Sequence, residues 1–198
     1  MSDGYSQPAQ LAAKGDPMNL PNLLTALRLG CIPVILAVFY FAGSTRLHIV
    51  AAIFALASAT DFIDGYVARR REQVTNLGKL LDPVADKLLV TTGLVLLTEV
   101  GRVWSWIAIL IIGREIAVTG LRAMASANGL VLPAEGMGKL KMIFQVIGVT
   151  ILFVADRADW FWLWVVGLSI LLLSLLFALL SGGRYLQQLR HLLKHDPQ

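Results

Sequence analysis

The sequence predicts an all-α membrane protein with six transmembrane helices, and three observations lead to this fold class. Hydrophobic residues make up 57% of the 198 residues and charged residues only 15%, whereas soluble domains contain roughly 45–50% and about 25% of these classes. Six apolar runs are each long enough to cross a bilayer as a helix, which takes ~20 residues. Lys and Arg collect at alternating ends of these runs, as in a chain that crosses a membrane repeatedly.

The elements follow from the apolar runs and the polar turns between them. Residues 1–18 have no apolar core and are predicted to be a flexible cytoplasmic tail, which leaves 19–198 as one transmembrane domain. The predicted spans are 19–41, 47–70, 78–100, 104–125, 138–154 and 160–180. The last helix is expected to continue through residues 184–195.

The distribution of positive charge predicts the orientation. Of the 17 Lys and Arg residues, all but Arg46, Arg102 and Arg157 fall at the membrane face that carries the loop after residue 70. Positively charged loops stay in the cytoplasm, so this face is predicted to be cytoplasmic, together with both termini. The five Trp residues begin spans at the opposite face, where an interfacial aromatic belt explains them. The net charge of +4 is therefore interpreted as membrane topology, and no nucleic-acid site is expected.

Four aspartates stand at the cytoplasmic ends of the second and third spans. Asp61 and Asp64 are three residues apart, and Asp82 and Asp86 are four apart, so each pair shares one face of its helix. Acidic residues in a span are costly and mark functional sites. Four carboxylates this close need protons or cations between them, and hard divalent cations with oxygen ligands supply that charge. The pattern predicts a site for two divalent ions, Mg²⁺ or Mn²⁺, since no Cys or His stands near it to favour zinc.

Cations on later spans face the same membrane side as the aspartates. Arg114 and Arg122 stand on the fourth span, and Lys139 and Lys141 open the fifth. Any one of them could be an ordinary positively charged anchor at the cytoplasmic interface. As a group beside four carboxylates, they indicate a cavity that binds phosphate.

The aspartate stretch resembles the signature of the CDP-alcohol phosphotransferase family at every fixed position. The pattern is Asp61-x-x-Asp64-Gly65-x-x-Ala68-Arg69, eight further residues, and Gly78-x-x-x-Asp82-x-x-x-Asp86. The likeness extends from Asn19 to about Tyr185, nearly the whole chain. It implies an integral-membrane enzyme whose metal ions are held by these four aspartates.

The resemblance implies further roles around the aspartates. The first helix of such enzymes lines the nucleotide pocket. The implied nucleotide-binding residues are Asn22, Thr25, Asp61, Gly65, Ala68, Arg69 and Gly78. On physical grounds alone, Gly65 and Ala68 could equally serve close helix packing, and Arg69 could cap its helix. In the same way, Asn22, Thr25 and Arg28 could be a helix cap and an interfacial arginine.

The cations indicate one branch of the family. Arg114-Glu115 followed by Arg122, together with Lys139-x-Lys141, resembles the enzymes whose acceptor is glycerol 3-phosphate. The sequence departs from that branch at Met142, where threonine is usual, and thereby lacks one hydroxyl contact. The implied acceptor-phosphate ligands are Arg28, Arg114, Arg122, Lys139 and Lys141.

The implied reaction is a single displacement in phospholipid synthesis. The 1-hydroxyl of glycerol 3-phosphate attacks the β-phosphorus of CDP-diacylglycerol, and CMP leaves. Asp86 would either join the second metal ion or act as the general base. The resemblance further implies a homodimer in the bacterial inner membrane, in contact with membrane lipid and with its active site on the cytoplasmic side.

Two alternatives stay open at the level of the sequence. The same chemistry could use another acceptor, either phosphatidylglycerol, as in the related cardiolipin synthases, or an inositol phosphate. A divalent-cation transporter would also carry acidic residues in its spans. Against a transporter, the acids here lie near one face beside Arg69, Arg70 and Arg71.

Overall fold

A computed structural model describes residues 20–71, 76–127 and 137–194, and within them the chain forms six α-helices. They are α1 Leu20–Phe41, α2 Arg46–Arg71, α3 Asn76–Glu99, α4 Ser105–Ala127, α5 Met137–Val154 and α6 Phe161–Lys194. The predicted all-helical fold is confirmed, and each helix begins and ends within about two residues of a predicted span. The predicted extension of the last helix is also confirmed, because α6 continues to Lys194. The predicted tail, residues 1–18, lies outside the described residues.

Two glycines in the left-handed conformation end helices at one side of the bundle. Gly43 has φ 70° and Gly101 has φ 71°, values that a side chain would strain. After α3, the N–H groups of Arg102 and Val103 both donate to the carbonyl of Leu97, at 2.9 and 3.3 Å. This bonding closes α3 in the manner of a glycine C-cap and turns the chain into α4.

The core lies where α2, α3, α5 and α6 face one another. Phe54 of α2, Leu94 of α3, Phe153 of α5 and Leu171 of α6 are fully buried. The rings of Phe54 and Phe153 pack with their centroids 6.1 Å apart. The most extensive contact between two helices joins α5 to α6. Helix α1 packs on α2 and α3, and α4 packs on α6 and α3.

Successive helices alternate in direction, so the bundle has two chemically different ends. At one end, called the cationic end because most of the Lys and Arg residues lie there, α1, α3 and α5 begin and α2, α4 and α6 finish. At the tryptophan end lie the turns at 42–46, 100–104 and 155–160. A hydrogen bond of 2.8 Å from the Tyr40 hydroxyl to Glu99 joins the ends of α1 and α3 there. This contact fits the parallel course of the two helices.

Arg102 closes the tryptophan end. Its buried guanidinium donates to the carbonyls of Leu152 and Phe153 at 3.0 and 2.6 Å, and to Asp156 at 3.2 Å. A cation at the last carbonyls of α5 complements the negative end of that helix. The indole of Trp164 donates to the carbonyl of Arg102 at 2.8 Å, which fixes α6 to the same point. The N–H of Ala158 and the nearby guanidinium hold the pKa of Asp156 below its usual value.

The membrane character of the helices differs along the chain. Among the described residues, one segment, Phe161–Gly183 of α6, is long and apolar enough to cross a membrane. Thr25–Phe41 and Leu140–Val154 are shorter apolar stretches.

The close approach of α5 and α6 yields the first prediction. A Cβ on Gly148 would lie 3.0 Å from the backbone nitrogen and 3.2 Å from the Cα of Leu171. Gly148→Ala is expected to lower the unfolding temperature in detergent. Overpacking costs about 1–3 kcal/mol, more than the roughly 1 kcal/mol that alanine gains over glycine in a helix.

The matched control is Gly183→Ala on α6, where a Cβ meets nothing within 4 Å. This variant is expected to unfold at the wild-type temperature or slightly above it. A Gly148→Ala protein as stable as the control would contradict the backbone contact between α5 and α6.

Candidate functional site

The aspartate pairs lie on the helices that the spacing predicted. Asp61 and Asp64 are in the second half of α2, and Asp82 and Asp86 are in the first half of α3. The side chain of Asp86 is half-buried. The environments of these predicted site side chains lie outside the described part: Asn22, Asp61, Asp64, Gly65, Ala68, Arg69, Gly78, Asp82 and Lys139.

On α2 and α3, buried alanines stand close in sequence to the aspartate positions. Ala57 on α2 and Ala85 on α3 are buried. Position 61 follows Ala57 by four residues and position 82 precedes Ala85 by three, so each shares the face of its buried neighbour. Among the described side chains, no three of the types His, Cys, Asp or Glu group closely enough to hold a metal ion.

A cavity of about 70 Å³ lies between α3, α4 and α5 at the cationic end. Its polar lining consists of Asp86, Lys87, Thr91, Glu115, Lys141 and Gln145. Its apolar lining includes Val90, Leu94, Ile111 and Ile112, which lie up to two turns deeper along α3 and α4. The cavity therefore has charged groups at its outer part and an apolar floor. Two carboxylates and two ammonium groups balance in this lining, so it offers both donors and acceptors to a small polar molecule.

A buried ion pair crosses this cavity from α4 to α5. The Lys141 ammonium donates a hydrogen bond to Oε1 of Glu115. The same oxygen accepts from Nη1 of Arg114 at 3.2 Å. The side chains of Lys141 and Arg114 are each 10% exposed and that of Glu115 is 18% exposed, so the three charges compensate one another largely out of solvent.

Arg114 also ties α4 to α6. Its Nε donates to the carbonyl of Ala178 at 2.7 Å, and its Nη2 donates to the hydroxyl of Ser181. Arg114 is not among the residues that line the cavity. The guanidinium of this predicted phosphate ligand therefore faces α6 and Glu115.

The remaining predicted cations occupy different surroundings. Arg28 is 2% exposed and Thr25 is 4% exposed, so both lie inside the bundle. An arginine that only anchored α1 at the membrane surface would be exposed, so this burial favours a role inside the protein. Lys141 lines the cavity, whereas Arg122 is exposed and lies outside its lining.

The sequence patterns indicate no role for several residues that the structure brings to the site. Lys87 and Thr91 line the cavity with Asp86, and their one-turn spacing along α3 was a signal for a shared face. Glu115 holds both Arg114 and Lys141. No sequence pattern indicates Ser181, a single small polar residue in an apolar run.

Comparison with known proteins relates most of the helical part of the chain to one family. The model of the CDP-alcohol phosphatidyltransferase family matches residues 18–180. A protein of Rickettsia typhi named CDP-diacylglycerol--glycerol-3-phosphate 3-phosphatidyltransferase is 38% identical over 168 residues, covering 84% of this chain and 94% of its own length. A protein of the same name from Pseudomonas fluorescens is 40% identical over 171 residues, 84% of each chain. Another from Bacillus subtilis is 41% identical over 146 residues, 68% of this chain and 76% of its own.

The contacts of Arg114 predict a role in stability. Arg114→Met removes the hydrogen bonds to Ala178 and Ser181 and leaves Glu115 with less compensating charge. Because a hydrogen bond to a charged group contributes about 1.5–3 kcal/mol, this variant is expected to lower the unfolding temperature by several degrees in detergent. Arg122→Met removes the same charge from an exposed position of α4 and is expected to change that temperature less. Equal unfolding temperatures for the two variants would refute the tether between α4 and α6.

Proposed function

Because the chain belongs to the CDP-alcohol phosphatidyltransferase family, we propose that it is a phosphatidyltransferase whose donor is CDP-diacylglycerol and whose acceptor is glycerol 3-phosphate. The products are phosphatidylglycerophosphate and CMP. The printed names of the relatives supply the two substrates. One structural observation supports the choice of acceptor: Lys141 and Asp86 line the same cavity, so a phosphate and an attacking hydroxyl can be held side by side.

The acceptor side of the proposed mechanism uses the cavity. Lys141 and Lys87 offer positive charge to the phosphate of glycerol 3-phosphate. Asp86 accepts the proton of the 1-hydroxyl as general base. The hydroxyl oxygen then bonds to the β-phosphorus of CDP-diacylglycerol, the bond from that phosphorus to the CMP oxygen breaks, and CMP carries the electron pair away. The apolar floor at Leu94 and Ile111 limits water, which would otherwise compete as nucleophile.

The other predicted cations remain part of the proposal. Arg28 lies inside the bundle on α1, and Arg122 and Lys139 stand at the cationic end of α4 and α5. Arg122 and Lys139 would receive the acceptor as it enters, and Arg28 would bind its phosphate inside the bundle. Arg114 would act on the acceptor only through its charge and not by direct contact, since its guanidinium is bonded to α6.

The donor side rests on the aspartate helices. Asp61, Asp64 and Asp82 would hold divalent ions, and Asp86 would join them at the second ion if it does not serve as the base. This donor set fits Mg²⁺ or Mn²⁺ because it offers carboxylate oxygens alone on two contacting helices. When bound, such ions neutralise charge on phosphate oxygens. The nucleotide would be bound by Asn22, Thr25, Asp61, Gly65, Ala68, Arg69 and Gly78, the small residues leaving space for its approach.

The proposal includes the position of the protein in a membrane. Large apolar side chains point outward along the bundle, as Leu56, Val95, Ile109 and Leu176 do, and lipid covers such surfaces in a spanning protein. We place all six helices across a bacterial inner membrane with the cationic end in the cytoplasm. Residues 19–198 would form one catalytic domain that assembles as a homodimer, preceded by the tail at 1–18.

The direct test is CMP release by the purified protein from CDP-diacylglycerol with Mg²⁺ or Mn²⁺. Glycerol 3-phosphate, inositol phosphate and phosphatidylglycerol are compared as acceptors, with EDTA as the control for metal dependence. Release with glycerol 3-phosphate alone, abolished by EDTA, is expected. Release with a different acceptor would overturn the proposed substrate, and metal flux into liposomes without CMP release would favour a transporter.

The role of Asp86 gives a further prediction. Asp86→Asn keeps the size of the side chain but cannot accept the proton, and general-base catalysis contributes about 10²–10⁴-fold. CMP release is expected to fall by at least that factor with the unfolding temperature unchanged. Thr92→Ala serves as control on the same helix, because its exposed hydroxyl bonds only the carbonyl of Leu88 among the contacts described. An Asp86→Asn protein that turns over at the rate of the control would rule out this base.

A further inference from the structure

Glu115 occupies a central place among the charges of the cationic end. One of its oxygens accepts hydrogen bonds from Lys141 on α5 and from Arg114 on its own helix. The carboxylate is the most exposed of the three side chains and still only 18% exposed. A carboxylate shared by two cations in this way restricts both of them, because moving either one leaves charge without compensation.

Arg114 connects Glu115 to α6. The guanidinium is held by the carbonyl of Ala178 and the hydroxyl of Ser181, both on α6. Arg114 therefore links Glu115 to α6 without lining the cavity, whereas Lys141 lines it. The result is a continuous chain of contacts that runs from α6 through α4 to the ammonium on α5.

Lys141 is the end of this chain that can reach a ligand. It lines the cavity together with Asp86, and the charges of the two groups interact. An ammonium on a four-carbon stem has three N–H donors and many rotamers. A hydrogen bond to Glu115 uses one donor, limits those rotamers and leaves two donors for a phosphate.

We infer that Glu115 is a positioning residue of the acceptor site, which holds the Lys141 ammonium beside Asp86 so that it can receive the phosphate of glycerol 3-phosphate. This inference rests on the proposed function and adds a residue to which no role has been assigned. Glu115 lines the same cavity, but a carboxylate repels the acceptor phosphate, so Glu115 acts on the phosphate through Lys141.

Two other roles for Glu115 predict different kinetics. If the pair with Lys141 were only a support of the fold, loss of Glu115 would lower the unfolding temperature and leave the KM of both substrates unchanged. If Glu115 competed with phosphate for Lys141, its loss would lower the KM for glycerol 3-phosphate, because the cavity would gain net positive charge. Only if Glu115 positions Lys141 does loss of Glu115 raise the KM for the acceptor and leave the KM for the donor unchanged.

The test is a double-mutant cycle of Glu115→Gln and Lys141→Met, with steady-state kinetics in both substrates. Glu115→Gln is expected to raise the KM for glycerol 3-phosphate about tenfold, the ratio that corresponds to one hydrogen bond to a charged group. In the Lys141→Met background the same change is expected to alter that KM by less than about twofold, since the residue through which it acts is gone. The KM for CDP-diacylglycerol is expected to stay constant throughout.

Two further variants serve as a control and as a conservative substitution of Glu115. Thr119→Ala lies on the exposed side of α4, where its hydroxyl bonds the backbone carbonyl of Glu115, and wild-type kinetics are expected. Glu115→Asp retains the charge with a shorter reach, so it is expected to fold even if Glu115→Gln does not, and to raise the acceptor KM by an intermediate factor.

Multiplicative effects of Glu115→Gln and Lys141→Met would overturn the inference, as would a lowered acceptor KM or an equal rise in the KM of both substrates. Failure of the proposed function looks different, because the wild-type protein would then release no CMP with glycerol 3-phosphate. If the wild-type protein is active but the effects of the two substitutions on KM multiply, the proposed function stands and only the role of Glu115 is refuted.

Discussion

The compensation of charge around the Lys141 ammonium is the constraint on which the cationic end depends. Three helices meet at this group: α5 carries it, α4 supplies Glu115, and α3 places Asp86 in the same cavity. Removing an ion from water costs several kcal/mol unless partners surround it. The positions of α3, α4 and α5 are therefore linked, since a rotation of any one of them would bury a charge without its partner. Arg114 extends the same requirement to α6.

The two ends of the bundle arrange their buried charges differently. At the tryptophan end Arg102 is surrounded by carbonyls of α5, by Asp156 and by Trp164, and these contacts close the structure. At the cationic end the charges surround a cavity. Close packing of Gly148 and Gly167 in α5 and α6 connects the two ends through a tight helix pair. One end of the bundle is thus closed by fixed contacts, and the other end has charged groups around a cavity. This arrangement suits a reaction that needs a rigid protein and a charged site for a small substrate.

Most of the fold could be predicted from the sequence, because apolar runs and their breakers determine helix boundaries. The aspartate spacing placed four acids on two helices, and the family inferred from it is confirmed by the match over residues 18–180. The partners of Arg114 could not be predicted, because they depend on how α4 is rotated against α6 and no periodicity encodes that angle. The same holds for Ser181 and Glu115. The assignment of individual ligands to substrate or metal stays a prediction.

A structure of the protein with glycerol 3-phosphate bound would measure most directly where the acceptor lies. The expected result is a phosphate whose oxygens lie about 3 Å from the Lys141 ammonium, with the 1-hydroxyl directed toward Asp86 and with Glu115 still bonded to Lys141. A phosphate bound outside the cavity between α3, α4 and α5, leaving Lys141 without contact to it, would contradict the assignment of this cavity as the acceptor site.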